Sequence, residues 1–123
     1  LNLVDPKMVV SGIGEQPSII HLRDFGISGF TSGCVCIAPS KSMQMLAAIK
    51  ANDFESAESI RGSFETLENL RNAHGPIPVL HHAVALADIA QTGAHLPLMS
   101  DLDEELIDPI KEASLELFEF DLD

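Results

Sequence analysis

The 123-residue sequence contains no tryptophan and no tyrosine, and only 7 basic residues stand against 19 acidic ones. The formal net charge of −12 argues against nucleic acids and anionic membrane surfaces as partners, because both are bound largely through lysine and arginine. No apolar run approaches the roughly 18 residues of a transmembrane helix, and no basic segment followed by an apolar stretch marks a signal peptide. We therefore expect a cytoplasmic protein with neither nucleic acid nor membrane among its partners.

Cysteine is also scarce, since only Cys34 and Cys36 are present. With one residue between them they are poorly spaced for an unstrained mutual disulfide, which fits a reducing cytoplasm. Two thiols do not make the four-ligand set of a structural zinc site either. The adjacent His81 and His82 point about 100° apart on a helix, so they do not converge on one ion. We predict no metal and no cofactor.

Apolar residues make up 46% of the chain, and its first part alternates between signals for strands, turns and helices. A β-branched run at 7–10 predicts a strand that ends in the glycine-rich turn 11–14. A helix is expected from Pro17 to a stop at Gly26, and a second strand over 29–32. Short connections of this kind are typical of a parallel βαβ unit.

From Pro39 onward the sequence pattern is helical. A short amphipathic helix is expected to end near Lys50, and Asp53 is placed to cap the next helix. That next helix carries apolar residues at helical period and is predicted to end at 74–76. The apolar stripe of this helix consists of Phe54, Ala57, Ile60, Phe64, Leu67 and Leu70. The charged residues expected off that stripe are Glu55, Glu58, Arg61, Glu65 and Arg71.

The remaining helices are less sharply defined by the sequence. Residues 77–90 are apolar nearly all round, which predicts a helix buried on most sides. Two alternatives stay open for the last helix. It starts as early as Asp103 and kinks at Pro109, or it begins at Pro109 with Asp108 as its cap.

The two predicted strands indicate that the chain is part of a larger α/β protein. Strands of a parallel sheet need neighbours on both sides and helices on both faces. The sequence also begins with Leu1 rather than methionine. We therefore expect a fragment or a processed chain of a longer protein.

Five segments carry a resemblance to a known family. They are 8–12, then 29–33 with 37–39, then 51–57, 75–79 and 96–98. In this order and at this spacing they resemble the last part of the dihydrodipicolinate synthase and N-acetylneuraminate lyase family. The first two are similar to the seventh and eighth strands of the family's (β/α)8 barrel, and the others to its C-terminal helices and the turns between them.

The resemblance implies an α/β fold that is the C-terminal portion of a barrel. Residues 1–51 would form the last two β/α units, with strands seven and eight, and residues 52–123 would form a C-terminal helical extension. It also implies that the chain is part of a class I aldolase-type lyase. In such an enzyme a lysine on the sixth strand forms a Schiff base with pyruvate or a related 2-keto acid, and a tyrosine relays protons. Both residues would precede Leu1, since the chain has no tyrosine and none of its four lysines suits the role. Lys7 opens a strand, at the end opposite the catalytic face of a barrel. The other three lysines lie on helices or helix starts in polar surroundings, not in a desolvated pocket.

Only the rim of the keto-acid site is carried over by the resemblance, and no catalytic residue. Backbone groups at the two strand ends would line the pocket, at Ser11, Gly12, Ile13, Thr31, Ser32 and Gly33. The family often has an aliphatic residue in place of Thr31, which leaves the substrate subfamily open. The implied partners are a 2-keto acid, the N-terminal portion of the barrel and further copies in a homo-oligomer.

The residues also allow other interpretations. The glycine-rich turn 11–15 precedes a helix and would present backbone amides to a carboxylate or phosphate, or it is a plain tight turn. The alternative function is a non-catalytic helical interaction or oligomerisation module, whose last helices pack on another subunit. A small metal or nucleotide binder is a third hypothesis, which has only weak motifs behind it.

Overall fold

The computed structural model describes residues 3–94 and 101–123. In this part of the chain two short parallel strands alternate with helices, and three further helices follow. The elements are β1 (Val10–Ser11), α1 (Ser18–Phe25), β2 (Gly29–Phe30), α2 (Pro39–Lys50), α3 (Phe54–His74), α4 (Pro76–Leu86) and α5 (Ile107–Leu122). Short 3-10 turns lie at Pro6–Met8, Cys34–Cys36 and Glu104–Leu106. The order β-α-β-α followed by helices is the predicted one, although the segment 96–98 lies outside the described residues.

The two strands are parallel, with Val10 paired to Gly29 and Ser11 to Phe30. Both are shorter than predicted. The strand predicted over 7–10 is present, but it begins at Val10 and Lys7 does not open it, because residues 6–8 form a 3-10 turn. The Asp5 carboxylate accepts a hydrogen bond from the Lys7 amide at 3.0 Å, and this local bond competes with an extended backbone.

The predicted helix boundaries around α1 and α3 are confirmed. Gly26 ends α1 in a left-handed conformation (φ 67°), which glycine adopts without steric cost. The Asp53 carboxylate caps α3 by accepting a hydrogen bond from the Ser56 amide at 3.2 Å. Helix α3 then runs over 21 residues to His74, as its apolar spacing indicates.

The apolar stripe of α3 forms the centre of the core. Ala57, Phe64 and Leu67 are buried against neighbouring helices. Arg71, however, was expected off the buried stripe and is only 8% exposed. It lies one turn beyond Leu67, on the part of α3 that faces the loop between β1 and α1, and its neighbour Glu68 is fully buried as well.

Helix α4 is less buried than predicted. Only Val79 and Ala83 are buried within it, and Ile77 is 54% exposed. The expectation of burial on most sides was wrong, because α4 packs through one face on α3, α5 and the 3-10 turn after β2. Across the described part of the chain, no helix is both long and apolar enough to cross a bilayer.

Helix α5 begins at Ile107, so both alternatives for Pro109 were wrong. Pro109 is the third helical residue, in the first turn, where a backbone N–H would lack an intrahelical acceptor and its absence costs little. No side chain caps this end, and the 3-10 turn at Glu104–Leu106 leads into the helix.

The far end of α5 returns to the start of α2. Asp121 accepts a hydrogen bond from the Lys41 amide at 2.6 Å, and the Lys41 ammonium lies 4.5 Å from the centroid of the Phe120 ring. The carboxylate satisfies one of the amides that the first turn of α2 leaves without a helical partner. The last helix is thereby attached to the second β/α unit.

Candidate functional site at the strand ends

The two strands end side by side, and their loops are hydrogen-bonded to each other. The Thr31 amide donates to the Ser11 carbonyl at 2.7 Å, and the Gly14 amide donates to the Thr31 carbonyl at 3.1 Å. In α/β barrels the carboxyl ends of the strands form the face that carries the active site. The structure therefore brings the predicted rim residues of both strands to one edge.

The six predicted rim residues differ in what they present at this edge. Ser11 is buried, with its hydroxyl 2.9 Å from the Nδ1 atom of His21, and the Ser32 hydroxyl donates to Glu15 at 2.5 Å. Both hydroxyls therefore have hydrogen-bond partners within the chain. Gly33 is partly buried. The exposed members are Gly12, Ile13 and Thr31, with Ile13 59% exposed. Contact of the six residues with a keto acid stays a prediction.

Glu15 is a buried residue of the site that the sequence reasoning missed. It is fully buried, and its carboxylate accepts hydrogen bonds from the Ser32 hydroxyl and, at 2.8 Å, from the Ser42 hydroxyl. Its backbone carbonyl accepts from the Ser18 hydroxyl at 2.7 Å. A buried carboxylate is costly without such donors, and here three serines surround the residue.

Glu68 fills the anion position that the turn 11–15 was considered to offer. The Glu15 and Gln16 amides, just ahead of α1, each donate to the Glu68 carboxylate at 3.0 Å. These amides do bind a carboxylate, as the anion interpretation supposed, but it belongs to the chain itself. They are therefore not available to an outside anion in this structure.

Arg71 completes the buried cluster from the next turn of α3. Its guanidinium lies 3.6 Å from the Glu68 carboxylate and donates to the Ile13 carbonyl at 2.9 Å. Burial raises the pKa of Glu68 to about 7, and the negative charge of Glu15 adds to the rise. Arg71 and the two donating amides act in the opposite direction and only partly offset it.

Gly14 makes room for this cluster. Its φ is 99°, a conformation that side chains disfavour, and a Cβ atom there would lie 2.1 Å from the Glu68 carboxylate. The sequence signal for a turn was therefore correct, and the reason for glycine is the approach of α3. A signal for Glu68 also existed, because Phe64, Leu67, Glu68 and Arg71 follow helical spacing along one face of α3.

The two cysteines lie apart from the buried cluster in their chemistry. Both cysteines are free, as predicted, and burial raises the pKa of each thiol. A raised pKa keeps a thiol protonated and makes it a poor nucleophile or metal ligand. Within residues 3–94 and 101–123, no group of three or more histidine, cysteine or acidic residues is arranged to hold a metal ion.

The pKa of Glu68 leads to a prediction about stability and pH. Between its ordinary pKa of 4.5 and about 7, the folded chain holds a proton that the unfolded chain has lost. The proton on Glu68 therefore stabilises the folded chain. Its contribution to the free energy of unfolding is complete below pH 4.5 and is lost as the pH rises through 7. From about pH 5 to about pH 8, the wild type should lose up to about 3 kcal/mol relative to Glu68→Gln.

Urea unfolding at several pH values measures this difference. The glutamine variant keeps all five histidines, so their titration cancels when the two curves are subtracted. Parallel curves for the two proteins would show that Glu68 has the same pKa in the folded and unfolded chains.

The comparisons with known proteins bear on the fold. No family model matches the chain, and no curated protein matches it. Among solved structures, dihydrodipicolinate synthase from Bacillus clausii matches with a TM-score of 0.70 and 25% identity over 90% of this chain. The match covers 36% of that protein, so the chain spans about a third of its length. The fold described here is similar to the C-terminal portion of the dihydrodipicolinate synthase fold.

Proposed function

We propose that this chain is part of a Schiff-base-forming lyase that acts on pyruvate or a related 2-keto acid. In this proposal the chain supplies the rim of the pocket and the helical tail, and the lysine lies elsewhere in the barrel. The observation that carries the proposal is the pair of parallel strand ends, Ser11 and Thr31, in a fold similar to the C-terminal portion of dihydrodipicolinate synthase.

The chemistry of the rim agrees with this role. A keto acid offers a carboxylate that needs hydrogen-bond donors, and the exposed rim consists of Gly12, Ile13 and Thr31. The Thr31 hydroxyl donates to the Ser11 carbonyl at 3.4 Å, so it would have to turn from that carbonyl to serve a keto-acid carboxylate. Gly12 and Ile13 are exposed beside it and bring no competing charge.

The test is borohydride trapping with pyruvate, followed by intact mass measurement. A lysine that forms a Schiff base with pyruvate releases water, and borohydride reduces the C=N bond to a stable secondary amine. The chain then gains the mass of one pyruvic acid less one oxygen atom. We expect no adduct on the 123-residue chain alone and one adduct when the chain is joined to preceding barrel strands that carry a strand-end lysine. The same reaction without borohydride is the control, and an adduct on the chain alone would contradict the assignment of the lysine.

A non-catalytic interaction or oligomerisation module is the second candidate. The observation that favours it is apolar exposure, with Ile77 on α4 54% exposed and Val10 on β1 52% exposed. Packing of another chain on these side chains would remove apolar surface from water, which is the main favourable contribution to most protein association. Trapping that fails on every form of the protein, together with self-association in sedimentation velocity, would favour this candidate over the lyase.

A further inference from the structure

Glu15 connects three segments of the chain around the strand ends. It lies in the loop between β1 and α1, and its carboxylate accepts from Ser32, just beyond β2, and from Ser42, in the first turn of α2. Its amide donates to Glu68 on α3. One fully buried residue therefore holds both β/α units and the helical region together.

The bond to Ser32 acts next to the exposed rim. Ser32 directly follows Thr31. The Thr31 amide donates to the Ser11 carbonyl, and the Thr31 carbonyl accepts from the Gly14 amide, so Thr31 is hydrogen-bonded to the end of β1 and the loop after it. Ser32 also accepts a hydrogen bond from the Val35 amide at 3.3 Å, which shapes the turn after β2. A shift of Ser32 would therefore move Thr31 and the start of the 3-10 turn together.

We propose that Glu15 is the positioning residue of the keto-acid rim. By holding Ser32 and Ser42 it sets the end of β2 against the loop after β1. Its own carboxylate is fully buried, so it acts on the substrate only through the residues that it holds. The effect on keto-acid binding rests on the proposed function, whereas the positioning of β2 does not.

A carboxylate suits this position better than an amide of the same size. An ionised carboxylate has two oxygens that only accept, so it serves two hydroxyl donors at once. A glutamine has one accepting oxygen and an amino group that only donates. Glu15→Gln therefore keeps the volume of the side chain but makes both serine bonds neutral, and one serine must turn from donor to acceptor to keep its bond. The two bonds together should weaken by roughly the strength of one hydrogen bond.

The first experiment is amide hydrogen exchange on the 123-residue chain. We expect Glu15→Gln to speed exchange at 31–35 about tenfold, the effect of losing roughly one hydrogen bond, with the amides of α5 unchanged. Glu116→Gln on the exposed side of α5 is the matched control and should leave 31–35 as in the wild type. Unchanged exchange at 31–35, or an equal increase throughout the chain, would overturn the inference.

Ser32→Ala keeps the inference testable if Glu15→Gln does not fold. It breaks the same bond from the other end and leaves the Ser42 bond to Glu15 in place, but it also removes the acceptor of the Val35 amide. The expected increase is therefore measured at the Thr31 amide, which donates to Ser11 and not to Ser32. Normal exchange there in Ser32→Ala would show that the bond does not position β2.

The second experiment uses the chain joined to strands that carry the lysine. Glu15→Gln should raise the pyruvate concentration for half-maximal trapping about tenfold and leave the maximal adduct unchanged, because the lysine is untouched. An unchanged half-maximal concentration, in a protein whose wild type traps pyruvate, would overturn the inference. If the wild type itself forms no adduct, the proposed function fails, and hydrogen exchange still decides whether Glu15 positions β2.

Discussion

Glu68→Ala is expected to lower the free energy of unfolding by about 3–5 kcal/mol at about pH 8, where Glu68 is ionised, because this is the range found when one partner of a buried ion pair is removed. The change leaves Arg71, which is 8% exposed, without its carboxylate. It also leaves the Glu15 and Gln16 amides without their acceptor. The total stability of a domain of this size is about 5–15 kcal/mol, so such a loss would be severe.

Urea unfolding with Glu65→Ala as the control measures this effect. Glu65 lies one turn earlier on α3, its side chain is 52% exposed, and its contact with Arg61 is 3.8 Å. An exposed pair of this kind contributes about 0–1 kcal/mol, so the control should unfold almost as the wild type does. Equal losses in the two variants would mean that the buried cluster contributes nothing to stability.

The double variant Glu68→Leu with Arg71→Met separates two sources of the loss. Apolar residues of similar size often replace a buried ion pair with little cost, because the desolvation of both charges is avoided. We expect the double variant to recover part of the stability that Glu68→Ala loses. The two amides before α1 would still lack an acceptor, so recovery should be incomplete.

Gly14→Ala is expected to cost about 3 kcal/mol or more. Part of the cost is backbone strain, since φ at this residue is 99° and left-handed conformations cost side-chain-bearing residues about 1–2 kcal/mol. The larger part comes from the Cβ atom, which would lie 2.1 Å from the Glu68 carboxylate and 3.1 Å from the Arg71 guanidinium. Glu68 cannot retreat without giving up its two amide bonds.

Gly12→Ala is the matched control, two residues earlier in the same loop. A Cβ atom at Gly12 would meet nothing within 4 Å, and its φ is not in the left-handed region. There the substitution should be neutral or should stabilise by up to about 1 kcal/mol, because alanine reduces the entropy of the unfolded chain. A similar loss for both variants, measured by thermal or urea unfolding, would place the cause in the loop in general and not in the contact with Glu68.

The helices were largely predictable because their signals are local. The apolar spacing from Phe54 to Leu70 and the cap at Asp53 are properties of neighbouring residues, and α3 follows them. The start of β1 was missed since the turn at Pro6–Met8 competes with the strand over the same residues. The half-exposed α4 was missed for a different reason, because an apolar sequence does not say how many of its sides meet a neighbour.

The buried cluster was beyond the sequence alone because its contacts are distant along the chain. Glu15 and Ser32 are 17 residues apart, and the Glu15 amide and Glu68 are 53 apart. Helical spacing marks Glu68 and Arg71 as neighbours of the stripe, yet it does not reveal that a loop lies over them. The rim residues were predicted through family resemblance, and the approach of the two strand ends to each other required the pairing of β1 with β2.

The bond between the Lys41 amide and Asp121 has a consequence for the order in which the chain folds during synthesis. The two residues are 80 positions apart, and translation reaches Asp121 only after α3 and α4 have been made. Long-range contacts of this kind close late, because a large loop must be ordered first. During synthesis the Lys41 amide can therefore bond Asp121 only after α5 has left the ribosome. The bonds of Glu15 to Ser32 and Ser42 can form much earlier.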